Sequence, residues 1–329
     1  AHTLVFKPTV NEIANDLKLG AGDAGFVGDA TVPHYPELEA VAVPELAEAI
    51  GHMGVGVLRA SVQPTEALRF ARFLAARDQG LPVFARSGFV PVAGDPWDEQ
   101  PELRLLAGAM LRPVIEETIR AFEQREGVRV IRVYNGCGIL VAQMKSGERP
   151  DAYFACDKPF MDQVTDLFLD GQDISQNQLV ILVPKGNPRG IESLKDLGAP
   201  GLRLGVGHEK QSALGALTQR MLLTNGTYNL VRNNVKVESP TGDMLVNQLR
   251  TGSLDAVIVY LSNATGAADA LEPIALDIPC ALAVQPVAIC KAAKYPQLTA
   301  RLLETIRSGK SKQRFESWGF KWKLGEAQP

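Results

Sequence analysis

Apolar positions along the chain fall into two periods. From about residue 102 onward, short apolar runs read as strands. They are LRLLAG at 103–108, VRVIRVYN at 128–135, DAYFAC at 151–156, NQLVILVPKG at 177–186, LRLGVG at 202–207, VKVES at 235–239 and LDAVIVY at 254–260. Between the first two, Leu111, Val114, Ile115, Thr118, Ile119 and Phe122 recur at helical spacing and predict a helix over 111–125. Pro113 sits in its first turn, where a missing N–H costs little, and Gly127 ends it. Further helices are expected over 139–146, 192–198, 212–224, 243–251, 296–308 and 310–316, with two strands around ALAVQPVAIC at 281–290. Strands alternating with helices predict α/β layers with mostly parallel sheets.

The pattern also repeats. HTLVFKPTVNEIANDLKLGAGDAGFV at 2–27 aligns with NNVKVESPTGDMLVNQLRTGSLDAVIV at 233–259 at an offset of 232. Pro8-Thr9 falls on Pro240-Thr241, Gly20 on Gly252, and Asp23-Ala24 on Asp255-Ala256. The offset holds from GVGVLRASVQP at 54–64 to PVAICKAAKYP at 286–296, and SGFVPV at 87–92 matches WGFKWK at 318–323 with one residue of slip. Residues 1–95 are therefore expected to be the later part of a unit, and residues 96–329 a full one. The period would place roughly 130 further residues of the first unit ahead of Ala1. The Pro-, Gly- and acid-rich block VAGDPWDEQP at 92–101 is the join. A half-unit leaves strand edges and apolar helix faces unpartnered. It must then be covered, by homodimerisation through residues 1–95 or by packing on the second unit.

Composition narrows the function classes. With 329 residues, 46% hydrophobic and 22% charged, the chain is ordinary for a globular protein of two domains. A net charge of −3 gives no electrostatic footprint for nucleic acid. No Walker loop, G-x-S-x-G elbow or H-E-x-x-H motif occurs, and His2, His34, His52 and His208 are scattered. Four cysteines, Cys137, Cys156, Cys280 and Cys290, form no C-x-x-C pair. Cys280 and Cys290 flank ALAVQPVAI, a placement compatible with a cross-strand disulfide.

Candidate chemistry lies in the turns that open helices. Ala107-Gly108-Ala109-Met110, Asn135-Gly136-Cys137-Gly138, His208–Ser212 and Ser239–Asp243 each lead into one, with Ser212 an N-cap. Such turns present N–H groups and helix N-termini to one crevice at the carboxyl ends of strands, which suits a small anion. Small residues also simply permit tight turns. A Cys137–His208 nucleophile pair is a further arrangement these loops allow.

From Glu102 to Lys323 the chain resembles the molybdate-binding proteins of ABC importers, of the type II periplasmic binding protein fold. The resemblance is carried by LLAGAMLRPVIEETIRAFE, NGCGILVAQM, PDAYFACDKPFMD, LVILVPKGNP, SPTGDM and DAVIVY. Residues 1–93 resemble the last part of the same family. The resemblance implies two α/β lobes, one of about 101–178 with 286–329 and the other of about 179–285, that close on a ligand. It implies a non-enzymatic, periplasmic or extracytoplasmic solute-binding protein without a cofactor, whose partners are a small oxyanion such as molybdate or tungstate, or a related solute, and an ABC permease in the membrane. The ligand contacts it implies are Met110, Cys137, Gly138, Ser212, Leu214, Met244 and Tyr260. Two serines usual in the family are replaced by Met110 and Cys137, and a thioether donates nothing while a thiol donates weakly. Gly28 stands in the first unit where Tyr260 stands in the second. The same replacement gathers sulfur at Met110, Cys137, Met244 and Cys156. This leaves open a soft-metal or redox module on Met110, Cys137 and Cys156, suited to Cu(I), or a thiol enzyme using Cys137.

Overall fold

The computed structural model describes residues 4–324. The chain divides into two compact units, Ala1–Glu99 and Gln100–Pro329. Each is described by itself.

The first unit holds three helices, α1 (Val10–Lys18), α2 (Pro64–Leu74) and α3 (Gly80–Arg86), and no strand among its described residues. Thr9 caps α1 by accepting the Glu12 N–H. Its buried side chains are few, among them Ala14, Leu68 and Ala71, while Leu4, Phe6, Phe26, Val55 and Val62 are exposed. Helix α1 stands 232 residues before Gly242–Arg250, and α2 the same distance before Pro296–Ile306. Gly20 and Gly252 end their helices with left-handed φ values of 71° and 72°.

The second unit has ten strands: β1 (Glu102–Gly108), β2 (Arg129–Asn135), β3 (Ala152–Phe154), β4 (Gln172–Pro184), β5 (Leu204–Gly207), β6 (Val235–Ser239), β7 (Ala256–Tyr260), β8 (Leu271–Ala275), β9 (Leu282–Ile289) and β10 (Lys321–Trp322). Their order is β2-β1-β3-β9-β4-β7-β5-β6, with β8 and β10 also on β4. The sheet is mixed rather than mostly parallel. Ladders β1–β2, β1–β3, β5–β6 and β5–β7 are parallel, and every ladder of β4 is antiparallel. Strand β4 joins two lobes: through Gln178 it pairs with β9, and from Leu179 it pairs with β7 and β8.

Helices α4 (Arg112–Glu126), α5 (Cys137–Lys145), α6 (Lys158–Asp162), α7 (Ala213–Thr224), α8 (Tyr228–Arg232), α9 (Gly242–Arg250), α10 (Leu261–Thr265), α11 (Pro296–Ile306) and α12 (Gly309–Ser317) cover the sheet. Helix α4 buries the stripe Val114, Ile115, Thr118, Ile119 and Phe122 that its spacing predicts, and Gly127 closes it with φ 63°. The two lobes share a device at the strand that follows the second crossover. Asp151 exchanges with Arg104 what Asp255 exchanges with Arg203: the aspartate N–H donates to the arginine carbonyl, and the arginine N–H donates to the carboxylate. Each Asp thus fixes the register of a central strand against its neighbour.

Two expected elements differ. The stretch 192–198 is a turn ending in one 3₁₀ turn, and the Asp196 carboxylate accepts the N–H groups of Glu192 and Ser193. The ALAVQPVAIC segment is one strand, β9, not two. Cys280 and Cys290 therefore lie beyond opposite ends of an extended strand, on the order of 25 Å apart, too far for the disulfide their spacing suggested.

Candidate functional site between two lobes

The turn between β2 and α5 is where the lobes meet. Gly138 N–H donates to the Gln211 carbonyl at 3.0 Å. A Cβ at Gly138 would lie 2.0 Å from the Lys210 carbonyl oxygen, and one at Gly136 would lie 2.4 Å from that of Gln211 and 2.5 Å from that of Pro240. Only glycine permits that approach. The loops leading into α7 and α9 thus press backbone carbonyls onto the N-terminus of α5, and Gln211 takes a hydrogen bond an anion could otherwise receive. Beyond this contact a groove of about 360 Å³ separates the start of α4 from α9 and α10, with Arg112, Glu116, Asp243, Asn247 and Trp318 in its wall.

Behind the glycines sits a buried sulfur pair. Cys137 is the first residue of α5 and is fully buried; Cys156 follows β3 and is 5% exposed. The Cys156 N–H donates to Cys137 Sγ at 3.1 Å. Both sulfurs lie over the same face of Gly108, where a Cβ would fall 1.9 Å from Cys156 Sγ and 3.2 Å from Cys137 Sγ. Burial works against a Cys137 thiolate, but the facing Cys156 thiol, the Cys156 N–H and the Tyr153 hydroxyl outweigh it and hold the thiol below its ordinary value. Cys156 is pushed well up by the facing Cys137 and by burial. Gln285, buried within β9, anchors this floor: its Nε2 donates to the Cys156 carbonyl at 3.0 Å, and its Oε1 accepts from Ser175 Oγ at 2.8 Å. Asp157 is buried beside Cys156, and burial raises its carboxyl.

The Tyr260 hydroxyl, at the end of β7 and 2% exposed, has no hydrogen-bond partner, and the Tyr153 hydroxyl in β3 has only the Cys137 sulfur to lean on. Burial pushes both phenols well above their usual range, with Cys137 and Cys156 among the groups that act on each. An orphaned buried hydroxyl costs roughly 1–3 kcal/mol.

The sequence-derived positions divide as follows. Met110, Cys137, Gly138, Ser212, Leu214 and Tyr260 lie at helix starts or strand ends and are buried or half-buried. Ser212 occupies the N-cap of α7, but its side chain makes no capping bond. Met244 opens α9 with its side chain 52% exposed, so it does not join the buried sulfurs; what it offers is its backbone at the helix start. His208 does not pair with Cys137. Its Nδ1 accepts the N–H groups of Lys210 and Gln211, while Cys137 is engaged with Cys156. Among the described residues no group of three His, Cys, Asp or Glu side chains could hold a metal ion. Tyr153, Asp157 and Gln285 were missed. The signal available for Gln285 was a lone amide inside an apolar run.

Two lobes bridged by one shared strand, with helix N-termini meeting between them, define a two-lobed binding-protein fold. The chain belongs to the bacterial extracellular solute-binding protein family, whose sequence model matches residues 1–90 and 103–321. A putative binding protein of Haemophilus influenzae is 29% identical over 226 residues, covering 67% of this chain and 90% of that protein. The molybdate-binding protein ModA of Mycobacterium bovis is 27% identical over 198 residues, covering 59% and 74%. The solved structure of the sulfate-binding protein SubI from Mycobacterium tuberculosis superposes with a TM-score of 0.59 at 18% identity, over 69% of this chain and 88% of that one. That likeness carries the fold.

Proposed function

We propose that the chain is the solute-binding component of an ABC-type importer and takes a small oxyanion, of the molybdate, tungstate or sulfate type, between its lobes. The observation that carries this is the buried, unpartnered Tyr260 hydroxyl beside the meeting N-termini of α5, α7 and α9. Neutral hydroxyl and N–H donors are what a desolvated oxyanion needs. The relatives that are named for molybdate, and the fold shared with a sulfate-binding protein, support the same class. In the closed form the Gln211 carbonyl occupies the Gly138 N–H, so ligand entry requires the lobes to part about β4. A membrane permease is the partner that would read the closed, loaded form, and the place of action is extracytoplasmic. Among the described residues no helix is long and apolar enough to cross a membrane. The family is one of binding proteins, and the His208 ring nitrogen is engaged by the Lys210 and Gln211 N–H groups rather than by Cys137, which favours binding over thiol catalysis.

Isothermal titration of the purified chain with molybdate, tungstate and sulfate tests this. One of the three should bind one per chain at micromolar affinity or better. Absence of binding by all three would remove the oxyanion reading. The soft-metal alternative draws on Met110, Cys137 and Cys156, all buried, while Met244 stands outside the group. Cu(I) competition against a chromogenic chelator decides it.

Residues 1–95 we infer to be a partial copy of the second unit. The coincidence of α1 with α9 and α2 with α11 at one offset supports this, as does a family match falling in two stretches.

A further inference from the structure

The region behind Gly136 and Gly138 combines two kinds of demand. It presents two neighbouring soft sulfurs, Cys137 and Cys156, both beside Gly108 and shut from solvent. It also presents one hard, unpartnered hydroxyl, that of Tyr260. A bare soft cation would satisfy the sulfurs and leave that hydroxyl orphaned. It would also leave a charge: two thiolates around a monovalent ion carry a net negative charge, buried beside the Asp157 carboxyl. A tetrahedral oxyanion would satisfy that hydroxyl and meet sulfur where it needs donors. A ligand that fits both has a thiophilic centre bearing oxygen and stays neutral once bound.

We propose that Cys137 and Cys156 form a dithiol site for a trivalent oxo-acid of a thiophilic element, of the arsenous acid type, taken up between the lobes. This names the ligand class for the interlobe site and rests on the solute-binding reading above. The step balances without an oxidant. Arsenous acid, As(OH)3, condenses with the two thiols. Two As–S bonds form, two As–O bonds break, and each hydroxide released leaves as water with one thiol proton. Arsenic stays trivalent, and one hydroxyl remains on it for Tyr260. The adduct is neutral, which a fully buried floor tolerates. The pair is polarised in a way that suits the reaction: Cys137, at a helix N-terminus, is held below its ordinary value and gives up its proton first, and Cys156, pushed up, gives up its proton second.

The test is titration of the reduced full-length chain with sodium arsenite, followed by calorimetry and native mass spectrometry, with molybdate and sulfate titrated in parallel. One arsenic per chain is expected, with a mass gain of one As(OH)3 less two waters. Affinity should fall at least 100-fold in Cys137→Ser and in Cys156→Ser and stay unchanged in Cys280→Ser/Cys290→Ser. Thermal melts of each variant, with Cys137→Ala and Cys156→Ala as second choices, keep misfolding from passing as lost binding. Arsenite bound equally without Cys137 or Cys156, or Cu(I) bound where arsenite is not, would overturn the proposal. Molybdate or sulfate binding with no arsenite binding would sink this inference and leave the oxyanion reading standing. No binding of arsenite or of either oxyanion would remove both.

Discussion

Single atoms decide how closely the lobes of the second unit approach. Gly138 has no Cβ, and one placed there would sit 2.0 Å from the Lys210 carbonyl oxygen. Gly138→Ala should therefore hold the lobes apart, weakening ligand binding by about tenfold or more, roughly 1.4 kcal/mol, while the melting temperature changes little. Calorimetry on the variant checks this. Tyr260 makes the opposite kind of prediction. Its hydroxyl is buried without a partner, so Tyr260→Phe should leave the ligand-free protein as stable or stabilise it by up to about 1 kcal/mol, and should still weaken ligand binding. A large loss of stability without ligand would mean the hydroxyl has a partner after all. These residues were legible only in part. The turn Asn135–Gly138 and the strand-end Tyr260 stand out in sequence, but the close approach of Gln211 and Pro240 depends on loops some 70 to 105 residues further along the chain.

At the scale of elements, aspartates at strand starts tie each lobe together. The Arg203 side chain, the Arg203 N–H and Arg189 hold the Asp255 carboxyl down to about 2. Its folded value lies below its unfolded one, so its contribution is fully present above about pH 4 and is lost as pH falls through about 2. Both arginines are about half in solvent, which screens the pairs. Asp255→Asn should thus cost on the order of 1 kcal/mol near neutral pH, and the difference from wild type should shrink toward pH 2. Urea unfolding at pH 7 and pH 2.5 measures it. Helix positions were read well where an apolar stripe is long, as in α4, α7, α9 and α11. They failed at 192–198, a short stretch with few apolar positions that folds as a turn ending in one 3₁₀ turn. The extent of β4 also escaped, because its first half, QDISQN, carries polar residues that are buried by pairing with β9 and β10.

For the whole molecule, the two units differ in how much apolar surface they keep. No strand forms in the first unit among the described residues, whereas ten strands pair in the second. Phe6, Phe26 and Val55 are left exposed, a surface that favours association. The chain should therefore run as a homodimer in light scattering, and Phe6→Asp/Phe26→Asp should shift it toward monomer. A monomer at all concentrations would contradict this.

Alternating apolar runs and helical stripes determined the α/β class, because both are local or periodic properties. Tertiary structure alone decided the mixed sheet, the sharing of β4 between lobes and the separation of Cys280 from Cys290, since strand pairing joins residues far apart in sequence. It also decided which sulfurs meet. Met110, Cys137, Cys156 and Met244 looked equivalent along the chain. Folding buries the first three, brings Cys137 and Cys156 into contact over Gly108, and turns Met244 to solvent.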